Sequence, residues 1–215
     1  MGILSKHSEW FPPNRPGMGD LLLLSSWAGY FILFFLTEHL IPPECCSPVH
    51  CPLDDRIPFC EWFLIPYVSW YLLIAGSLLW FLVRDVASFR NLQIYILITQ
   101  VIGLLCFCLL PSRQDLRPEA FSGNNLLTRL TGLLYKLDTN TGVCPSMHVA
   151  WSLGLISTWI RKNGIPSIWR FLITAWCLLI CVSVSFVKQH SVLDILAAVP
   201  VCLAAEWFVF FRKGR

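Results

Sequence analysis

The chain has 215 residues, of which 56% are hydrophobic and only 13% charged, and its mean hydropathy is +0.63. Soluble domains carry roughly 25% charged residues, so this composition excludes an ordinary water-soluble fold and points to an integral membrane protein. The formal net charge of +3 is dispersed through short connections, and no nucleic-acid partner is expected.

A helix needs about 20 apolar residues to cross a bilayer core. The opening segment MGILSKHSEWFPPNRPGMGD is polar and proline-rich, and the apolar run behind it lacks a small-x-small cleavage site, so it is read as retained. Apolar runs follow at about 21–40, 59–83 and 91–110, and three more at about 145–160, 168–187 and 191–211. The fourth is the shortest, and its first turn is polar. The expected fold is therefore all-α, a polytopic bundle of about six transmembrane helices forming one membrane domain over residues 1–215.

Lysine and arginine in the short connections set the expected orientation. Arg84 and Arg90, then Arg161 and Lys162, then Arg212, Lys213 and Arg215 fall on one side of a six-span chain, with Lys6 and Arg15 in agreement. That side is expected to be cytoplasmic and to hold both termini. The opposite loop over 111–144 breaks the pattern with Arg113, Arg117, Arg129 and Lys136. Trp62, Trp80, Trp159, Trp169 and Trp207 lie near span ends, where amphipathic rings favour the membrane interface.

Cys45, Cys46, Cys51 and Cys60 crowd the first outer loop, where one or two disulfides are expected if that face is oxidising; their pairing stays open. A zinc site competes with this reading, although CCSPVHC lacks paired C-x-x-C spacing. Cys106, Cys108, Cys177, Cys181 and Cys202 lie within spans and are read as small apolar side chains.

Ionisable groups at the edge of membrane helices are costly and tend to face a cavity or a partner. Three stretches on the same outer face supply them. PSRQDLRPEAF carries Arg113 and Arg117, CPSMHVAW carries Ser146 and His148, and VKQHSVLDILAA carries Lys188, His190 and Asp194. Guanidinium forks, a hydroxyl and a helix N-terminus after Pro145 all favour a bound phosphate. His190 and Asp194 are four residues apart on one helical face, so the carboxylate can hold one ring nitrogen and leave the other as nucleophile or base. His148 is then free to protonate a leaving alkoxide.

PSMH, QHSVLD and RQDLRP resemble the signature blocks of the type 2 phosphatidic acid phosphatase superfamily, membrane enzymes of about six helices that act on lipid phosphates without a metal. PSMHVAW is most similar to the branch that includes inositol phosphorylceramide synthases, with sphingomyelin synthases as more distant relatives. The likeness spans the third to the sixth run, with the motifs inside residues 111–198. It implies His190 as the phosphorylated nucleophile, Asp194 as its orienting partner and His148 as general acid, with Arg117 and Ser146 holding phosphate oxygens. It also implies no cofactor and no bound metal. The family's first-block lysine is Leu110 here, with Arg113 the nearest charge. Its second-block glycine is Met147, and its third-block arginine is Val184, with Lys188 nearest.

The resulting expectation is a metal-independent lipid phosphate or diphosphate phosphatase. Its active site would lie on the extracytoplasmic face of a membrane, read as a bacterial plasma membrane. Transfer of a phospho head group to a lipid alcohol is the alternative. More distant alternatives are a redox protein with His148 and His190 as axial haem ligands and a transporter. The first leaves Arg117, Ser146 and Asp194 unexplained, and the second lacks charges at mid-span.

Overall fold

A computed structural model describes residues 16–121 and 123–211. Lys6, Arg15, Arg212, Lys213 and Arg215 lie outside the described residues. Among those described, seven α-helices follow in order: α1 (Met18–Leu40), α2 (Leu64–Arg84), α3 (Val86–Leu109), α4 (Leu126–Leu137), α5 (Met147–Arg161), α6 (Ser167–Phe186) and α7 (Val192–Glu206). Five of the described helices are long and apolar enough to cross a membrane, so the chain is an all-α, polytopic membrane protein.

The short fourth run is the exception that organises the rest. Helix α5 has 15 residues, which at about 1.5 Å per residue fall well short of the roughly 30 Å bilayer core. It is the centre of the bundle, packed on α2, α3, α6 and α7. His148, Val149, Ala150, Trp151, Leu155 and Trp159 are all buried. Close approach is set by Gly154, where an added Cβ would stand 2.6 Å from the Tyr95 ring. Trp159 is accordingly a core residue and not an interfacial anchor: its indole donates to Ser77 at 3.1 Å and packs on Trp80 and Phe81. Trp62, Trp169 and Trp207 are exposed as expected.

The two ends of the bundle differ in chemistry. At one end, Arg90 pairs with Asp20 at 2.5 Å, Lys162 with Asp85 at 2.7 Å, and Arg161 with Glu206. These pairs tie α1 to α3, α3 to the loop after α5, and α5 to α7. The other end is capped by the loops around residues 41–63 and 110–146. They are knitted by two short parallel strands, β1 (Ser47–Pro48) and β2 (Ser112–Arg113), and by a bridge from Arg113 to Thr141.

This cap contains a helix that a plain loop reading of residues 111–144 does not anticipate. Asn125 caps α4 by accepting from Thr128 N at 2.9 Å, an ordinary N-cap. Leu126, Leu130, Leu133 and Leu137 remain exposed along α4, while Thr128 and Thr131 are buried. Spacing of three and four residues puts these leucines on one face, suited to lying in the boundary between lipid and water. Cys45, Cys46, Cys51 and Cys60 are free thiols, so the expected disulfides do not join them.

Candidate active site

The histidine motifs meet because the first turns of two helices are stitched together. Ser146 precedes the first residue of α5, and its backbone N–H donates to the carbonyl of Asp194 in the first turn of α7 at 3.1 Å. Ser191 caps α7, with its hydroxyl accepting from Leu193 N at 3.1 Å. The Asp194 carboxylate returns to Ser191 N at 2.9 Å and also meets His190 Nδ1 at 3.2 Å. With Nδ1–H held by a carboxylate, His190 keeps Nε2 as its free nitrogen, the arrangement required of a nucleophile or base.

His148 faces this pair across a cavity of about 100 Å³, with 6.1 Å between the ring centroids. Its imidazole stacks on Trp70 at 4.0 Å and on Tyr67 at 4.3 Å, both from α2. Among the described residues, His148 Nε2 is buried and has no hydrogen-bond partner, and His148 lines the cavity. Buried polar atoms are normally paired, so this nitrogen marks a place where a polar ligand completes the site. The remaining wall is aromatic, from Tyr30, Phe34, Tyr71, Phe107 and Trp151, together with the 138–143 segment. Gly142 in that segment has φ +63°, and an added Cβ would meet the Phe34 ring at 3.4 Å.

None of the expected phosphate ligands lines the cavity. Ser146 is fully buried at the start of α5. The charges of Arg113, Arg117 and Lys188 do not line the cavity, because each is held by protein acceptors. Arg113 pairs with Asp115 at 3.1 Å and donates to the Pro43 carbonyl at 2.8 Å. Arg117 closes the end of α4, donating to the carbonyls of Tyr135, Asp138 and Thr139 at 3.1, 3.0 and 2.7 Å and to Gln189 Oε1 at 2.6 Å. A cation among the last carbonyls of a helix is favourable, and this one stands next to the site by way of Gln189. Lys188 has φ +57° and donates to the carbonyls of Asp54 and Ile57 at 2.8 and 2.5 Å. Burial lowers the Lys188 ammonium and the Arg117 guanidinium from their usual values.

Two acidic groups absent from the sequence-based site belong to it. Asp138 lines the cavity and accepts from Gln189 Nε2 at 3.3 Å. Burial raises its carboxyl above the usual range, against the opposing charges of Arg117 and His190. The apolar period over 126–137, stopped by DTNTG, is the signal that would have placed Asp138 at a helix end. Asp54, in the first outer loop, accepts from Ser191 Oγ at 2.6 Å, Val192 N at 2.8 Å and Cys51 N at 2.8 Å. Burial alone would raise its carboxyl, but these hydrogen bonds prevail and hold it low. Its partners lie up to 138 residues away in the chain, so no local pattern announces it.

Met147, Val184 and Leu110 also have places in the fold. Met147 stands against Gly103 of α3, where an added Cβ would lie 2.9 Å from the methionine sulfur. The larger side chain at 147 thus fills space beside a glycine on the neighbouring helix. Val184 is fully buried in α6, and its carbonyl accepts from Gln189 N and His190 N at 3.0 and 3.2 Å. Leu110 is exposed. Comparison with known proteins finds no matching family model, no similar curated protein and no similar solved structure.

Proposed function

We propose that the chain is a lipid phosphate or diphosphate phosphatase that works through a phosphohistidine, without a metal or cofactor. The active site would lie at the outer face of a bacterial plasma membrane, with both termini cytoplasmic. The observation that carries this reading is the His190–Asp194 pair facing His148 across a small cavity at the end of a membrane bundle.

The step proposed is an in-line displacement. Reacting atoms approach to about 3–3.5 Å and an acid works within about 2.6–3.2 Å of the oxygen it protonates, so both rings, whose centroids are 6.1 Å apart, would meet a phosphoryl group held in the cavity they share and not one wedged directly between them. His190 Nε2 forms a bond to phosphorus while the bond from phosphorus to the lipid oxygen breaks, and His148, entering as an imidazolium beside the phosphate anion, gives one ring proton to that oxygen and becomes neutral. Water then attacks phosphorus as His148 takes a proton from it, the N–P bond breaks, and free phosphate leaves with both rings restored. Asp194 holds the His190 ring throughout.

Phosphate release from phosphatidic acid, lysophosphatidic acid and polyprenyl diphosphate tests the proposal, with EDTA present and His190→Ala as control. Release that persists in EDTA, vanishes in the variant and passes through an acid-labile phosphoprotein is the expected result. Release unaffected by the substitution refutes the assignment of the nucleophile. The transferase alternative draws on one observation: among the described residues, the cavity is lined by Asp138 and by no lysine or arginine. A phosphomonoester carries about −1.5 to −2 charge at neutral pH, and a singly charged diester fits an acid-lined pocket better. Turnover that requires an added lipid alcohol would favour that reading.

A further inference from the structure

Helix α4 is fastened near both of its ends to places where spanning helices stop. Its N-cap Asn125 donates from Nδ2 to Glu61 Oε1 at 2.9 Å, in the helical turn Glu61–Phe63 that leads into α2. Tyr135, in its last turn, donates from its hydroxyl to the Val187 carbonyl at 2.7 Å, directly after the end of α6. The two ties stand about 15 Å apart along the helix axis, so α4 runs across the end of the bundle at the depth where the spans finish. Trp62, in the turn that α4 packs against, is exposed there, as an amphipathic ring at a membrane boundary is.

The helix is inverted relative to one that faces water. A surface helix turns apolar residues inward and polar ones out, but α4 buries Thr128 and Thr131 and leaves Leu126, Leu130, Leu133 and Leu137 42–78% exposed. At about 100° per residue these leucines form a stripe about 60° wide. Along one edge, Leu127 and Leu134 pack on the bundle core. Arg129 and Lys136 run along the other edge, and both are exposed. Arg129 Nε donates to the neutral Asn124 Oδ1 at 2.9 Å, and α4 itself holds no acid. None of these outward residues lines the histidine cavity.

We infer that α4 binds anionic lipid in the leaflet at this end of the bundle: the exposed leucines enter the acyl boundary, and Arg129 and Lys136 each meet the phosphate of a net anionic phospholipid. Because the cations stand beside the leucine stripe, they reach headgroup height when the leucines are buried, so one seating satisfies both. A zwitterionic lipid answers its phosphate with its own ammonium and gains less from the basic edge. A second copy of the chain could cover the leucines, but its α4 would offer Arg129 and Lys136 no acid. The lipid is held here as a surface and not as a substrate, and the inference stands whether or not the chain is a phosphatase.

The test adds phosphatidylglycerol with a photoreactive group close to its headgroup to the full chain in mixed micelles, and locates the label by mass spectrometry. Labelling is expected within residues 126–137. Unlabelled phosphatidylglycerol should displace it about 25-fold more effectively than phosphatidylcholine, since each basic side chain near an anionic surface contributes about a fivefold preference. The preference should fall toward one in the double variant Arg129→Gln, Lys136→Gln, and in wild type at about 1 M salt, where charges are screened within about 3 Å. The double variant Arg129→Lys, Lys136→Arg keeps both charges and should retain it. The neutral variant should melt with wild type; if it melts early, the salt titration of wild type alone decides. Equal displacement by the two lipids, a preference that neither salt nor the neutral variant reduces, or labelling confined to other helices would each overturn the inference. Cross-links joining α4 of two copies, with no lipid label on either, would also overturn it and assign the leucine stripe to self-association.

Discussion

Asp54 is the strongest test of how the His190 loop is held. Its carboxylate receives three hydrogen bonds, from Ser191 Oγ, Val192 N and Cys51 N, all at 2.6–2.8 Å, and the residue is 2% exposed. Asp54→Ala removes all three and strands a buried hydroxyl beside the start of α7. Hydrogen bonds to charged groups contribute about 1.5–3 kcal/mol each, but neighbouring losses are not additive, so about 3–5 kcal/mol is expected. At about 2–4 °C per kcal/mol for a chain of this size, the midpoint of thermal unfolding in detergent should fall by roughly 6–20 °C.

The sign of its pH dependence follows from the lowered carboxyl. A carboxylate stabilised in the folded state contributes fully above its unfolded pKa, about 3.9, and loses that contribution as pH falls through the lower folded value. The gap between wild type and Asp54→Ala should therefore be widest above about pH 4 and close in stronger acid. A thiol-reactive fluorescent dye or circular dichroism reads the midpoint. A variant that melts within about 2 °C of wild type at neutral pH would refute the view that this loop anchors the histidine.

Three further substitutions separate structural from chemical roles. Arg117→Lys cannot reproduce a fork donating to three carbonyls and Gln189, and it should lower the melting midpoint by several degrees, about 1–2 kcal/mol; lost turnover with an unchanged midpoint would restore the role of phosphate ligand. Asp138→Asn removes a carboxylate from the cavity wall and should lower KM for phosphatidic acid up to about tenfold. That gain should shrink at acid pH, where the carboxyl, already raised by burial, takes up a proton in wild type as well; steady-state kinetics across pH measures both. Gly154→Ala puts a Cβ 2.6 Å from the Tyr95 ring, and the overpacking should cost about 1–3 kcal/mol, read as a lower midpoint, with Tyr95→Leu as a relieving second change.

The sequence determined the membrane class, because hydrocarbon thickness dictates the length of an apolar helix and hydropathy reports that length directly. The close spacing of His190 and Asp194 also gave their pairing, but not on one helical face: His190 precedes the N-cap of α7, and Asp194 reaches it by folding back over the first turn to Ser191 N. The shortness of the fourth run was legible too, but not its position at the centre of the bundle. That followed from Gly103, Gly154 and the helices packed around α5, contacts that no local window contains.

Only the tertiary structure decided which charges face the cavity. Arg113, Arg117 and Lys188 are identical in sequence terms to free phosphate ligands, yet each satisfies carbonyls brought near by the cap. Asp54 and Asp138 read as ordinary loop acids, yet one anchors the His190 loop and the other lines the pocket. The physical reason is common to both cases. A charge at a membrane edge takes the partners the fold offers, and those partners come from segments tens to more than a hundred residues distant.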